Sequence, residues 1–117
     1  MTYDKNNVFA RILRGEIPSR QLYADEFAVA FHDIAPVAPV HILIIPKGEY
    51  QHYSDFIKHA PAVLVQGFFT AVENVAAQEG LSDYRLVSNN GAGAGQTVPH
   101  FHMHLLAGKE FGALLPA

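Results

Sequence analysis

Residues 100–106, His-Phe-His-Met-His-Leu-Leu, alternate imidazoles with large apolar side chains. Successive side chains of a β-strand point to opposite faces. In a strand, this run puts His100, His102 and His104 on one face and Phe101, Met103 and Leu105 on the other. The pattern predicts a half-buried strand whose polar face carries chemistry. Directly upstream, residues 89–97 form a glycine-rich loop with Gly91, Gly93 and Gly95 spaced two apart. That spacing is unlike the Rossmann or Walker fingerprints. Backbone N–H groups there, with the side chains of Gln96 and Thr97, suit an anion cradle. Together the two segments predict phosphate chemistry.

The remaining elements place this strand in a fold. Asn6 or Asn7 is suited to cap a short helix running to about Arg14, with Val8, Phe9, Ile12 and Leu13 as its apolar face and Gly15 beyond its end. Residues 21–24 and 27–32 read as two strands around a turn at Asp25 and Glu26. Pro36 and Pro39 stiffen the following connector, since each fixes φ and biases its predecessor toward extended backbone. Residues 41–45 form an apolar, β-branched strand stopped by Pro46, Lys47 and Gly48. From Pro61, the apolar residues Leu64, Phe68, Ala71, Val72, Val75 and Ala76 recur at helical spacing up to Gly80. Ser54 is placed to cap a short turn before it, and residues 84–88 make another strand. Five strands and two helices without a β-α-β rhythm predict an antiparallel α+β domain occupying residues 1–117.

Composition narrows the partners. Half of the 117 residues are apolar and 16% are charged, which suits a packed core rather than disorder. A net charge of -3, with scattered Lys and Arg, gives no footprint for nucleic acid. There is no cysteine, which excludes disulfides and thiolate zinc sites and fits a reducing cytoplasm. The first residues lack the pattern of a signal peptide. The longest apolar stretch, residues 34–46, is broken by His41 and prolines and is shorter than the ~20 residues of a membrane span. A cytoplasmic protein without membrane association is the expectation.

Of the seven histidines, His52 and His59 lie in a polar connector and read as surface or hydrogen-bonded residues. The row of three is different, because buried imidazoles each need partners. A single metal ion bound by the whole row is disfavoured by geometry. At ~3.3 Å per residue the Cα atoms of His100 and His104 stand about 13 Å apart, against Zn–N bonds of about 2 Å. Nucleophilic catalysis fits better, since a neutral imidazole with a free lone pair exists at pH 7. His102, flanked on both sides, is the candidate nucleophile. His100 and His41 are placed to supply supporting hydrogen bonds, and His104 to meet a phosphoryl oxygen or leaving group. Spacing alone does not rank these roles.

These residues resemble a known pattern. His-x-His-x-His with two apolar residues after it and Gly95-Gln96-Thr97-Val98 before it is similar to the signature of the histidine triad (HIT) superfamily. Residues 7–18 resemble the family's opening helix, and residues 30–47 resemble its HINT branch. The resemblance implies a five-stranded antiparallel sheet with two helices, doubled in a homodimer with a continuous ten-stranded sheet. It implies hydrolysis of purine nucleoside 5′-phosphoramidates, such as adenosine 5′-phosphoramidate or adenylyl-lysine. His102 would attack phosphorus to give a covalent nucleotidyl intermediate, and His41, His100 and His104 would complete the cluster. Asp33 would accept the ribose hydroxyls, the plain alternative for it being a turn-capping carboxylate. Val8, Phe9, Ile12, Ile17, Phe31, His32 and Ile34 would surround the base, while Asn89, Gly95, Gln96 and Thr97 would hold phosphate and leaving group. Imidazolium neighbours would protonate the departing nitrogen. No metal and no cofactor are implied for the chemistry. The Cys-x-x-Cys that many bacterial relatives use for structural zinc is replaced by Asn7 and Ala10, so that site is not expected. Residues 108–117 match the branch poorly, which leaves the leaving group open. Alternatives are a dinucleoside polyphosphate hydrolase or nucleotidyltransferase of the same superfamily, or a nucleotide-binding interaction module.

Overall fold

The computed structural model describes residues 2–114. Its core is one antiparallel sheet of five strands: β1 (Gln21–Ala24), β2 (Ala28–His32), β3 (Val40–Pro46), β4 (Arg85–Val87) and β5 (Met103–Ala107). Their spatial order is β1-β2-β3-β5-β4, so β5 inserts between β3 and β4. Three helices, α1 (Val8–Leu13), α2 (Tyr53–His59) and α3 (Ala62–Gln78), complete the α+β fold. Among the described residues no helix is long and apolar enough to cross a membrane.

Strand parity separates the sheet into two chemically distinct faces. Ala28, Ala30, Ile42, Ile44, Leu105 and Ala107 belong to one buried cluster with Phe56 of α2 and Phe68, Ala71, Val72 and Val75 of α3. Phe101 joins it, stacked on Phe56 at 4.8 Å and tilted against Phe68 at 5.2 Å between ring centroids. The alternate residues Val29, Phe31, Leu43 and Ile45 face the other way, with Phe9 of α1. The register sets Leu43 opposite Phe31 on one side and His104 on the other. Leu43 thereby lies between an aromatic wall and the histidines.

Gly67, in mid-helix, has a packing reason. A Cβ there would stand 2.4 Å from the Phe27 ring, so only glycine lets that ring lie against α3. The helix count differs from the sequence expectation of two, because residues 53–59 form a separate helix. Its N-cap is His52, whose ring accepts from the Asp55 N–H, and not Ser54. Ala60 is extended at ψ 144, as expected before a proline, and this divides α2 from α3. Pro61 is the N-cap of α3 instead of a residue in its first turn.

The histidine strand also begins later than its alternation suggests, at Met103 rather than His100. The backbone of residues 100–102 is committed elsewhere. The His100 N–H donates to Val98 O (2.9 Å), the Phe101 N–H to Tyr50 O (2.8 Å), and His102 O accepts from the Ser88 hydroxyl (2.8 Å). The alternation of faces survives without the ladder. Phe101 enters the helix-covered core while the rings of His100 and His102 pack edge-on against Phe9 at 6.3 and 4.9 Å.

Candidate active site

On the α1 side of the sheet lies a cavity of about 410 Å³. Its apolar walls are Val8, Phe9 and Ile12 of α1, Ile17 and Pro18 after it, Phe31 and Leu43 of the sheet, and Ile34 and Val98 from loops. Its polar lining is Ser19, His32, Asp33, Thr97, His102 and His104, of which only Asp33 bears a formal charge when the imidazoles are neutral. Ile34 is 98% exposed yet forms part of the rim, an apolar side chain held in water beside an open pocket. The lining contains eleven of the site residues singled out in the sequence and four that were not: Pro18, Ser19, Leu43 and Val98. Leu43 was readable from parity, since it shares a face with His41.

His102 is buried and its orientation is fixed by its own chain. Its Nδ1 lies 2.7 Å from the carbonyl oxygen of His100. A carbonyl only accepts, so Nδ1 carries the proton and Nε2 keeps its lone pair. Every buried side-chain N and O among the described residues has a partner, so Nε2, which has none, opens onto the cavity. Burial lowers the pKa of His102, outweighing the opposing effects of that hydrogen bond and the Asp33 carboxylate. The ring is a neutral imidazole at pH 7.

His104 receives a different support. The Val37 N–H donates to His41 Nδ1 (3.1 Å), so the proton of His41 sits on Nε2. That Nε2–H donates to His104 Nδ1 at 2.9 Å, with Asp33 Oδ2 3.5 Å from the same nitrogen. His104 is pushed down to about 4, chiefly by burial and then by the neighbouring imidazoles of His102 and His41. It is therefore neutral, with its Nε2–H as the donor offered to the pocket. His102 and His104 are thus neutral imidazoles here, rather than the imidazolium donors expected from sequence. His41 supports His104, not His102.

His100 is wholly buried and its ring does not line the cavity. Its Nε2 donates to Pro46 O at 3.0 Å and its Nδ1 meets the Tyr3 hydroxyl at 2.6 Å. Burial holds its pKa down at about 4. Asp33 plays the turn-capping role considered from sequence, Oδ1 accepting from the Ala35 N–H (2.7 Å), while Oδ2 faces His41 at 3.5 Å.

The glycine loop is more closed than an anion cradle requires. Gly91 and Gly95 have φ of 97° and 98°, a region that favours glycine, and they flank a 3₁₀ turn at Ala92–Ala94. Gln96 is consumed as a staple. It accepts from the Gly91 N–H (2.8 Å) and donates to Gln51 O (2.6 Å) and Val98 O (2.9 Å). Gln96, Gly95 and Asn89 stand outside the lining, and Thr97 is the loop's predicted contact within it. Among the described residues one group could hold a metal ion. Asp33, His41 and His104 bring a ligand atom each to within 4.8 Å of one another. The proton between His41 and His104 occupies that space, and a cation would have to displace it.

This geometry can be set beside known proteins. The HIT domain model matches residues 14–111. The chain belongs to the HIT family. It is 51% identical to a HIT-like protein of Azospirillum brasilense that is itself uncharacterized, across 97% of this chain and 95% of that one. It is 40% identical to the purine nucleoside phosphoramidase of Escherichia coli strain K12, across 95% of this chain and 94% of that one. Among solved structures, a HIT family hydrolase from Clostridium thermocellum superposes with a TM-score of 0.83 at 39% identity, covering 96% of this chain and 99% of the other. These relatives support a hydrolase in general terms.

Proposed function

We propose that this HIT protein hydrolyses purine nucleoside 5′-phosphoramidates through a covalent nucleotidyl-His102 intermediate. The observation that carries the reading is the neutral, carbonyl-oriented His102, with a bare Nε2 opening onto a cavity large enough for a small ligand. The Escherichia coli relative of that name supports the substrate class. The apolar walls suit a base, and Asp33 suits ribose hydroxyls as hydrogen-bond donors. In the first step His102 Nε2 forms a bond to phosphorus as the P–N bond breaks, and the amine leaves with an added proton. The phosphate charge of a bound substrate raises the proton affinity of nearby imidazoles, so His104 becomes able to take up a proton from solvent and pass one to the departing nitrogen, returning to the neutral ring. Water then cleaves the P–N bond to His102, releasing the nucleoside monophosphate and restoring the ring.

We take the working form as a homodimer, with β4 as the joint. It pairs only with β5 among the described strands, and Leu86 on it is 43% exposed. Phe68 of α3 offers nothing to such a joint, because its ring is fully buried in its own chain's core. Sedimentation showing a 12.8 kDa species at micromolar concentration would remove the dimer. We take the cytoplasm as its compartment, since a cysteine-free chain has no disulfides for an oxidising one to preserve. Side-by-side turnover of adenosine 5′-phosphoramidate and a diadenosine polyphosphate tests the substrate. Faster phosphoramidate cleavage is the expected result, and a preference for the polyphosphate would transfer the assignment to anhydride cleavage.

A further inference from the structure

The histidine whose carbonyl orients His102 is itself held from outside the sheet, by a residue near the start of the chain. Tyr3 lies 97 positions from His100 in sequence, yet its hydroxyl is 2.6 Å from His100 Nδ1 and the two rings meet edge-on at 5.8 Å. The direction of that bond follows from the other end of the ring. His100 Nε2 faces the oxygen of Pro46, which only accepts, so Nε2 must carry the proton. A wholly buried neutral ring then has a bare Nδ1, and the Tyr3 hydroxyl is its donor. The segment that brings Tyr3 there is itself tied to α1. The Asn7 side chain accepts from the Ala10 N–H (2.9 Å) and donates to Asp4 O (2.7 Å), and the Asn7 N–H also donates to Asp4 O (3.2 Å).

We propose that Tyr3 is a positioning residue for the nucleophile: it fixes the tautomer and placement of His100, whose carbonyl oxygen fixes His102. The chain of contacts is Tyr3 hydroxyl, His100 ring, and then two anchors. One is Pro46 O at the end of β3, and the other is the 2.7 Å bond that His102 Nδ1–H donates to His100 O. Without the hydroxyl, His100 Nδ1 becomes a buried acceptor with no donor, and the ring is free to exchange tautomers or turn away from Pro46. Either response moves the carbonyl that aims His102. Tyr3 does not line the cavity, so binding of substrate should be spared.

The proposal rests on His102 as nucleophile for its kinetic arm only. The test compares Tyr3→Phe, which removes the hydroxyl alone, with Tyr3→Leu, which removes the ring too, in the full chain. Two readouts are used: steady-state hydrolysis of adenosine 5′-phosphoramidate, and histidine-selective ¹H–¹⁵N correlation of the side chains. In the parent, His100 should appear as the neutral Nε2–H tautomer with a hydrogen-bonded Nδ1. In Tyr3→Phe that nitrogen should shift, kcat should fall about fivefold, and KM should stay within about twofold, as loss of one buried hydrogen bond implies. Tyr3→Leu should match Tyr3→Phe in kcat while losing more thermal stability. Unchanged kcat in Tyr3→Phe, or a kcat loss confined to Tyr3→Leu, would reduce Tyr3 to packing and overturn the proposal. A parent spectrum with the proton on Nδ1 would overturn it too. If the parent shows no turnover at all, the substrate reading fails, while the spectra still decide the tautomer.

Discussion

The two faces of the sheet are built from the same strands, yet they do opposite things with burial. On the α2/α3 face, Phe56, Phe68 and Phe101 interlock and no polar side chain is needed. On the α1 face, imidazoles are buried one by one, each with a partner, beside a cavity. Adjacent residues 101 and 102 sample both environments. Phe101 is wholly buried among aromatic rings, and His102 is desolvated enough to stay neutral. One face supplies stability, and the other gives up some of it to hold uncharged imidazoles at a pocket.

Breaking either face should give separable losses. His102→Ala should lower kcat/KM for adenosine 5′-phosphoramidate by about 10⁴-fold with little change in the urea midpoint. Retained hydrolysis would mean that the pocket face works by other groups. Phe101→Ala, one residue away, should instead cost about 3–5 kcal/mol in urea unfolding. A small cost there would show that the helix-covered face is not the stabilising one.

Acid should weaken the pocket face selectively. The unfolded chain protonates His100 near the ordinary 6.5, whereas the folded chain resists until about 4. The unfolded state therefore binds more protons in that window, and stability present above pH 6.5 is lost as pH falls through it. For His100 the loss is on the order of 3 kcal/mol. Urea midpoints from pH 7 to pH 4 should drop in the parent and drop less in His100→Gln.

Smaller effects sharpen the contrast. Gly67→Ala should destabilise by about 1–3 kcal/mol, because its Cβ meets the Phe27 ring at 2.4 Å, reversing the usual helical preference for alanine. Thermal melts would check it. Asp33→Asn should raise KM about fivefold with a lesser effect on kcat, if its carboxylate holds a ribose.

The sheet was legible because its pattern is local. Residues 41–45 and the row at 100–106 announce strand parity directly; parity sets His41 with Leu43 and His102 with His104, and the β3–β5 register then brings both pairs to one side. Helix α2 was missed because seven residues hold too few turns to show a period, and its cap is a histidine and not a customary serine. The start of β5 was misread because alternation reports facing, whereas a ladder also requires free backbone groups. Residues 100–102 spend theirs on loops. Gln96 looked like a phosphate ligand because composition does not reveal that both ends of an amide are already engaged. Tyr3 carried no sequence signal, since its partner lies at the opposite end of the chain.

The most direct test is intact-mass analysis of the full chain, quenched within milliseconds of mixing with adenosine 5′-phosphoramidate. Covalent capture at His102 predicts a transient species heavier by one adenylyl group, mapped by peptide sequencing to residue 102 and missing in His102→Ala. Turnover proceeding with no adduct, or an adduct on another side chain, would contradict it.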